Sequence, residues 1–498
     1  MKKIENFIFK LCLVVIVCLI VIAKPLSNLD EVWNFNIARC ISSGLVPYRD
    51  ISMVSTPLLG FLLAIPLKLF GTEIFYTRIF AIINILIVFI LMYKILDILE
   101  VRREISNIVV GVALAVIAGA ITIDYNILSL TFVLSIVILE LKCITARNWN
   151  KWFVNVIIGI FAGFTICSKQ SIGLIIGLIV VVSPFYFTKK KVDIVPIAKN
   201  MLYRAIGIVI PVGILCIYLA VNNAFGEFLS YSIKGVKTFS NSIPYTELLQ
   251  NGSSGGLAVM VLLIMIACVI ATIALKVKKK EDGKLFLLTV YSLGMFSIVI
   301  PIADIRHFSI GIMPCYILLA YAVMAILRNI KLNGKINFKH ELEFISIVTL
   351  ASILVCVFCL EFENNERLGE ISKYDYQKHF RYVYISPELN KEINLINEYA
   401  SVKERTLYIL DVSAAVYMIP VDRYNKNYDM FRIGSLGSGG EDAIIEKIKS
   451  EDSLYLIKND ESKINWQNPS KIRAYIKENM ELVDSKGSFD VYRNKNTE

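Results

Sequence analysis

The chain has 498 residues, of which 56% are hydrophobic and only 19% charged, with a mean hydropathy of +0.61. Soluble domains run at roughly 45–50% apolar and about 25% charged residues, so a string of ordinary soluble domains is excluded. The formal net charge of +10 does not signal nucleic acid, because the basic residues stand in short loops between apolar runs, where membrane orientation puts them.

Taken in chain order, Lys2 and Lys3 precede a first apolar run over 8–23. No small-x-small cleavage pattern follows near Lys24 and Pro25, so the run is expected to be a retained span with its N-terminus in the cytoplasm. Further runs lie near 74–97, 107–123, 126–142, 152–168, 171–187, 203–222, 257–275, 284–302, 308–327 and 342–361. Each approaches the roughly 20 residues that a span requires. The run 57–70, with Pro57 and Pro66, is shorter. Basic loops at 102–103, 147–151, 189–191, 276–280 and 328–339 all fall on the cytoplasmic side if 57–70 does not cross, and all outside if it does. The expectation is therefore a polytopic α-helical protein of about eleven spans over 1–361, with 57–70 juxtamembrane or re-entrant. The outer pieces are a first loop over 24–73 with juxtamembrane helices, turns at 124–126, 168–171 and 303–307, a loop over 223–256, and the tail. Nine of the ten cysteines lie in or beside apolar runs, and Cys40 is expected in the first outer loop. Their spacing gives neither a disulfide framework nor a metal-ligand pattern, and they read as small hydrophobes.

The tail, 362–498, is globular in composition and is expected to be a small extracytoplasmic α/β domain. Ser386, Pro387 and Glu388 read as a helix start, with Leu389, Ile393 and Ile396 at helical spacing behind them. Strands are expected at 406–410 and 453–458, helices at 443–448 and 469–479, and a terminal hairpin of 481–484 with 489–493. The glycine-rich stretch 434–440 has no following Lys-Ser/Thr and no clear preceding strand, so it reads as a flexible loop rather than a phosphate cradle.

Ionisable residues at membrane depth are costly and default to functional candidates. The charge-derived topology gathers Asp30, Glu31, Asp124, Lys169, Asp304, Arg306 and His307 at one boundary, the outer one. A carboxylate there can activate a hydroxyl as general base. Lysine and arginine can hold a phosphate, whose own oxygens carry the charge as it leaves. Each residue also has a plainer reading. Asp30 and Glu31 would be a solvated helix start, Asp124 a helix cap, Lys169 a snorkelling side chain and His307 an interfacial one. Convergence on one face, rather than any single residue, favours the chemical reading.

The stretch Asp30-Glu31-Val32-Trp33-Asn34-Phe35-Asn36-Ile37-Ala38-Arg39, then Gly44 to Asp50 with Pro47, Tyr48 and Arg49, then Pro57-Leu58, resembles the first outer loop of GT-C superfamily glycosyltransferases. These include protein O-mannosyltransferases and the aminoarabinose transferase acting on lipid A. Ser168-Lys169-Gln170-Ser171 with Gly173 resembles a Lys-Gln element of bacterial relatives, and Arg306-His307 with Pro314 the late basic turn before a span. The resemblance covers roughly 1–330 and is strongest over 28–60. It departs where Thr56-Pro57 stands in place of a doubled proline, and no acceptor signature is visible.

The resemblance implies an inverting transferase of the plasma membrane, acting at its outer face. The donor would be a polyprenyl-phosphate-linked sugar, and the acceptor an envelope glycan, lipid or protein. It implies Asp30 as general base with Glu31 assisting, and Lys169, Arg306 and His307 on the donor phosphate. Arg49, Asp50, Asp124, Tyr125, Gln170 and Asp304 would shape the pocket. No cofactor is required; a divalent cation would suit two carboxylates, but no ligand set demands one. Two alternatives remain. A flippase for lipid-linked sugars would place its site at mid-membrane on repeated halves, and no repeat is visible. A polysaccharide polymerase or ligase would use a lipid-diphosphate-linked chain.

Overall fold

The computed structural model describes residues 2–26, 29–146, 151–187, 194–235, 283–300, 302–329, 377–400, 406–459 and 469–495, with positions 259, 263, 266, 267 and 270. The run expected over 342–361 lies outside the described residues, as does that over 257–275 apart from those five positions. The other apolar runs are helices: α1 (Lys2–Ile22), α4 (Ile74–Ile98), α5 (Arg103–Ile117), α6 (Tyr125–Ala146), α7 (Trp152–Ser168), α8 (Gln170–Phe187), α9 (Ile194–Val221), α11 (Lys284–Phe296), and the pair α12 (Ile305–Gly311) and α13 (Met313–Asn329). Between them come α2 (Leu29–Ser42), α3 (Leu58–Phe70) and a short α10 (Phe225–Phe228).

Among the described residues, four helices are long and apolar enough to cross a membrane, or five if the bent pair α12–α13 counts as one span. The chain is a multi-pass membrane protein, and the eleven expected spans exceed this number. Several of the other helices are apolar but shorter. The 13 residues of α3 rise about 20 Å at 1.5 Å each, short of a hydrocarbon core about 30 Å thick. The run expected as one span over 308–327 is bent by 42° at Ile312. Pro314 explains the restart: without an N–H it is tolerated in a first helical turn but not in a helix interior.

Two compact units form. The first comprises Met1–Val21, Ala81–Ile214 and Ser242–Asn365; the second comprises Ile22–Phe80, Leu215–Asn241 and Glu366–Glu498. Compactness thus groups the tail with the segment after the first apolar helix, which chain order does not.

In the first unit, α6, α7 and α8 pack in sequence. Glycines let α7 and α9 approach backbone to backbone: a Cβ on Gly159 would lie 2.1 Å from the Arg204 carbonyl oxygen, and one on Gly207 2.2 Å from that of Val156. Across the same helices Arg204 is buried in an ion pair with Glu140. Its guanidinium also donates to Ser183 Oγ, to the Val180 carbonyl at 2.8 Å and to Asn155 Oδ1 at 2.8 Å.

In the second unit, α2 lies on α3, where Gly60 leaves room for Ile37 and Ile41. Tail elements follow the expected pattern closely. Helix α14 (Pro387–Ala400) starts with Ser386 Oγ accepting the Leu389 N–H at 3.2 Å. Strands β1 (Thr406–Ile409), β2 (Ser453–Lys458), β3 (Met480–Lys486) and β4 (Phe489–Asn494) form one sheet in the order β1-β2-β4-β3. The β1–β2 pair is parallel and the others antiparallel. The β3–β4 hairpin turns at Gly487, whose φ of +58° suits glycine. Helices α16 (Gly440–Ser450) and α17 (Ser470–Asn479) bury Ile444 with Ile448 and Ile472 with Ile476, a spacing of four that puts each pair on one face. A five-residue helix, α15 (Ala414–Met418), was not anticipated. The 434–440 stretch carries Gly434, Gly437 and Gly440 at positive φ, but buries Ser435 and Leu436 within it. It is a turn seated on the core rather than a loose loop.

Candidate functional site

Asp30 is the second residue of α2, and Glu31 the third, so both acids sit in the first turn, where the helix dipole favours negative charge. Their environments differ. Asp30 is half-buried, whereas Glu31 is 1% exposed and bound on both oxygens. Arg78 Nε donates to Glu31 Oε1 at 2.8 Å and Nη2 to Oε2 at 2.9 Å. The same guanidinium donates through Nη1 to the Lys24 carbonyl at 2.6 Å. A bidentate Arg–carboxylate pair of this kind fixes geometry as well as charge. It ties the start of α2 to the first turn of α4 and to the strand of chain leading from α1. Arg78 was missed in the sequence. The signal was present, since it is an arginine inside an otherwise apolar run.

Arg49 and Asp50 pair with each other on an exposed turn, Nε to Oδ1 at 2.9 Å and Nη2 to Oδ2 at 2.8 Å. Arg49 also reaches the Asn222 carbonyl at 3.3 Å. The hydrogen bonds from Arg49 hold the Asp50 carboxyl below its ordinary range, with help from the Val46 N–H. Cys40, expected in an aqueous loop, is buried on α2, and burial pushes its thiol up to about 12.

In the first unit three turns carry the remaining candidates. Asp124 precedes α6 and accepts the Asn126 N–H at 2.5 Å, so its capping role is realised. Lys169, between α7 and α8, donates to Asn126 Oδ1 at 2.8 Å and lies 5.3 Å above the Tyr125 ring. Ser168 Oγ donates to the Tyr125 carbonyl at 3.0 Å. The turns at 124–126 and 168–170 are thus joined, with Gln170 opening α8. Asn126 is a second residue that sequence reasoning passed over. Asp304 caps α12, accepting both the His307 N–H at 2.8 Å and the His307 ring Nδ1–H at 2.9 Å. Burial opposes ionisation of Asp304, but the bonds from His307 outweigh it and hold the carboxyl below its usual value. Helix α12 packs on α6 and on the 118–120 turn before it, which brings Asp304, Arg306 and His307 to the same end of this unit as Asp124 and Tyr125. Among the described residues no group of three or more His, Cys, Asp and Glu side chains is placed to hold a metal ion.

No protein-family model matches the chain, and no curated protein matches its sequence. Solved structures do. Over 99% of this chain and 98% of the other, it is similar to ArnT from Cupriavidus metallidurans bound to undecaprenyl phosphate, at 13% identity and a TM-score of 0.57. For the apo state of ArnT the figures are 98%, 97%, 12% and 0.59. Arabinofuranosyltransferase AftD from Mycobacteria is matched over 95% of this chain and 40% of that one, at 10% identity and a TM-score of 0.46, and adds nothing to the fold assignment. ArnT is a lipid A aminoarabinose transferase of the GT-C class, and this chain is similar to it in fold.

Proposed function

We propose that the chain is a membrane glycosyltransferase that moves a sugar from a polyprenyl-phosphate donor to a hydroxyl acceptor at the outer membrane face, with inversion. The observation that carries this reading is the near-complete structural likeness to ArnT in its undecaprenyl phosphate complex. Asp30 at the start of α2, directly after the first apolar helix, adds to it.

In this reading Asp30 takes the proton from the acceptor hydroxyl as it attacks the anomeric carbon. A general base contributes about 10²–10⁴-fold, provided it lies within hydrogen-bond reach of that hydroxyl. Glu31 assists indirectly. With both oxygens engaged by Arg78, it anchors the helix turn from which Asp30 projects. Lys169, Arg306 and His307 bind the donor phosphate and stabilise the charge that builds on it as the glycosidic bond breaks. The bond from His307 Nδ1 to Asp304 sets the tautomer and orientation of the ring. Asn126 and Tyr125 hold the Lys169 turn, while Asp124, Tyr125, Gln170, Arg49, Asp50 and Asp304 shape the pocket offered to sugar or acceptor. The N-terminus is assigned to the cytoplasm and the tail to the outer side, in keeping with the basic loops.

Purified protein in nanodiscs, offered a panel of polyprenyl-phosphate sugars with envelope acceptors, tests this. Transfer from one donor, lost in Asp30→Asn with folding intact, is the expected result. No transfer from any donor, together with flipping of a lipid-linked sugar in proteoliposomes, would overturn it.

A further inference from the structure

The helix that carries Asp30 has a second face. Trp33, Asn36 and Arg39 recur at intervals of three along α2 and are all buried. What buries them is the tail. Trp33 Nε1 donates to the Val412 carbonyl at 2.9 Å, and the Arg432 guanidinium lies 4.7 Å over its ring. Asn36 Nδ2 donates to Asp429 Oδ2 at 2.9 Å. Arg39 Nη2 donates to Asn36 Oδ1 at 2.9 Å and to the Arg423 carbonyl at 2.8 Å.

We propose that the tail positions the general base: Asp429, through Asn36, and the Val412 carbonyl, through Trp33, fix the rotation and axial register of α2 and so the placement of Asp30. The inference rests on the reading of Asp30 given above.

The physical argument is one of direction. Apolar contacts alone hold a helix against a surface but let it slide or turn, because their energy depends weakly on register. Hydrogen bonds from three successive positions along one face do not, since each fails beyond about 3.5 Å or at poor angles. Asp30 stands one helical turn from Trp33, so a rotation or shift of this face is passed directly to the carboxylate. Misplacing a reacting group by about 1 Å can cost about 10²-fold in rate. Burying the Asp429 carboxylate is expensive, and a site selected only for adhesion would be better served by an apolar side chain. Two clamps thus follow Asp30 on its helix, Glu31 to Arg78 and Asn36 to Asp429.

The test compares Asp429→Ala with Asp429→Asn in the full chain in nanodiscs, with turnover normalised to folded protein. Asp429→Ala should lower kcat at least tenfold while the donor KM stays within twofold. Asp429→Asn, which keeps an acceptor for Asn36, should stay within threefold of wild type. A wild-type kcat in Asp429→Ala, or a raised KM with kcat unchanged, would overturn the proposal. If Asp429→Ala does not fold, Trp33→Phe is read instead: it removes the bond to Val412 while keeping an aromatic ring beneath Arg432, a threefold or greater loss in kcat is expected, and no loss overturns the proposal. If the wild type transfers no sugar at all, the general-base reading fails first. Hydrogen exchange of the α2 amides in the variant that folds then decides the coupling alone, with tenfold faster exchange supporting it and unchanged exchange overturning it.

Discussion

Two buried arginine–glutamate pairs, one in each unit, use the same chemistry for different ends. Glu140 and Arg204 are fully buried and lie on α6 and α9, with Ser183 and Asn155 of neighbouring helices as further partners. No candidate residue adjoins them. Glu31 and Arg78 are buried to the same degree, yet the pair adjoins Asp30 in sequence and binds the chain leading into α2. An ionisable residue at membrane depth is a functional candidate by default, and here that default separates into two cases. One pair is a fastening between helices, and the other fastens the turn that presents the proposed base.

The comparison can be broken in order of expected effect. Asp30→Asn should reduce transfer about 10²–10⁴-fold with melting temperature unchanged, measured as turnover per folded molecule. Glu140→Ala or Arg204→Ala leaves a buried charge without its partner, so a loss of roughly 3–5 kcal/mol is expected, read as the yield of monodisperse protein and its thermal midpoint. Turnover of whatever folds should be unaltered. Arg78→Lys should do the reverse, lowering turnover about tenfold with a smaller effect on folding, because lysine cannot reproduce the bidentate fork. If both pairs behave alike, the distinction fails.

Asp429 sharpens the comparison through pH. Burial raises its carboxyl to about 6 from the ordinary 3.8, against the hydrogen bond from Asn36. The folded protein therefore prefers the neutral acid. Stability from this group is fully present below about pH 4 and is lost as pH rises to about 6, a change of roughly 3 kcal/mol at about 1.4 kcal/mol per unit. Asp429→Asn should flatten that portion of the stability–pH curve, measured by thermal melting between pH 4 and 7. Arg49→Ala is the smallest expected effect. Its ion pair with Asp50 is exposed and screened by solvent, so the thermal midpoint should barely move.

Much of this was legible in the chain. The tail helix behind Ser386 needed only a capping hydroxyl and helical spacing, and the 453–458 strand and the terminal hairpin needed only local alternation and a glycine turn. Asp30, Lys169 and the 304–307 turn stood out because a charge at the edge of an apolar run is costly and therefore conspicuous. Arg78 carried the same signal but sat one turn inside a run, where it was absorbed into the helix. The pairing partners were invisible: Glu31 with Arg78 lies 47 residues apart, and Asn36 with Asp429 393 apart.

Sequence by itself determined the multi-pass helical class, the small α/β tail and the polar turns, because hydrophobic run length, periodicity and capping are local properties. Only the tertiary structure decided that the tail belongs with the segment after the first apolar helix and that Glu31 is consumed by an arginine. It also decided that the buried face of α2 is held by an acid from the far end of the chain. Those outcomes depend on which distant groups meet when apolar surface is buried and each buried polar atom must find a partner, and no local pattern encodes that choice.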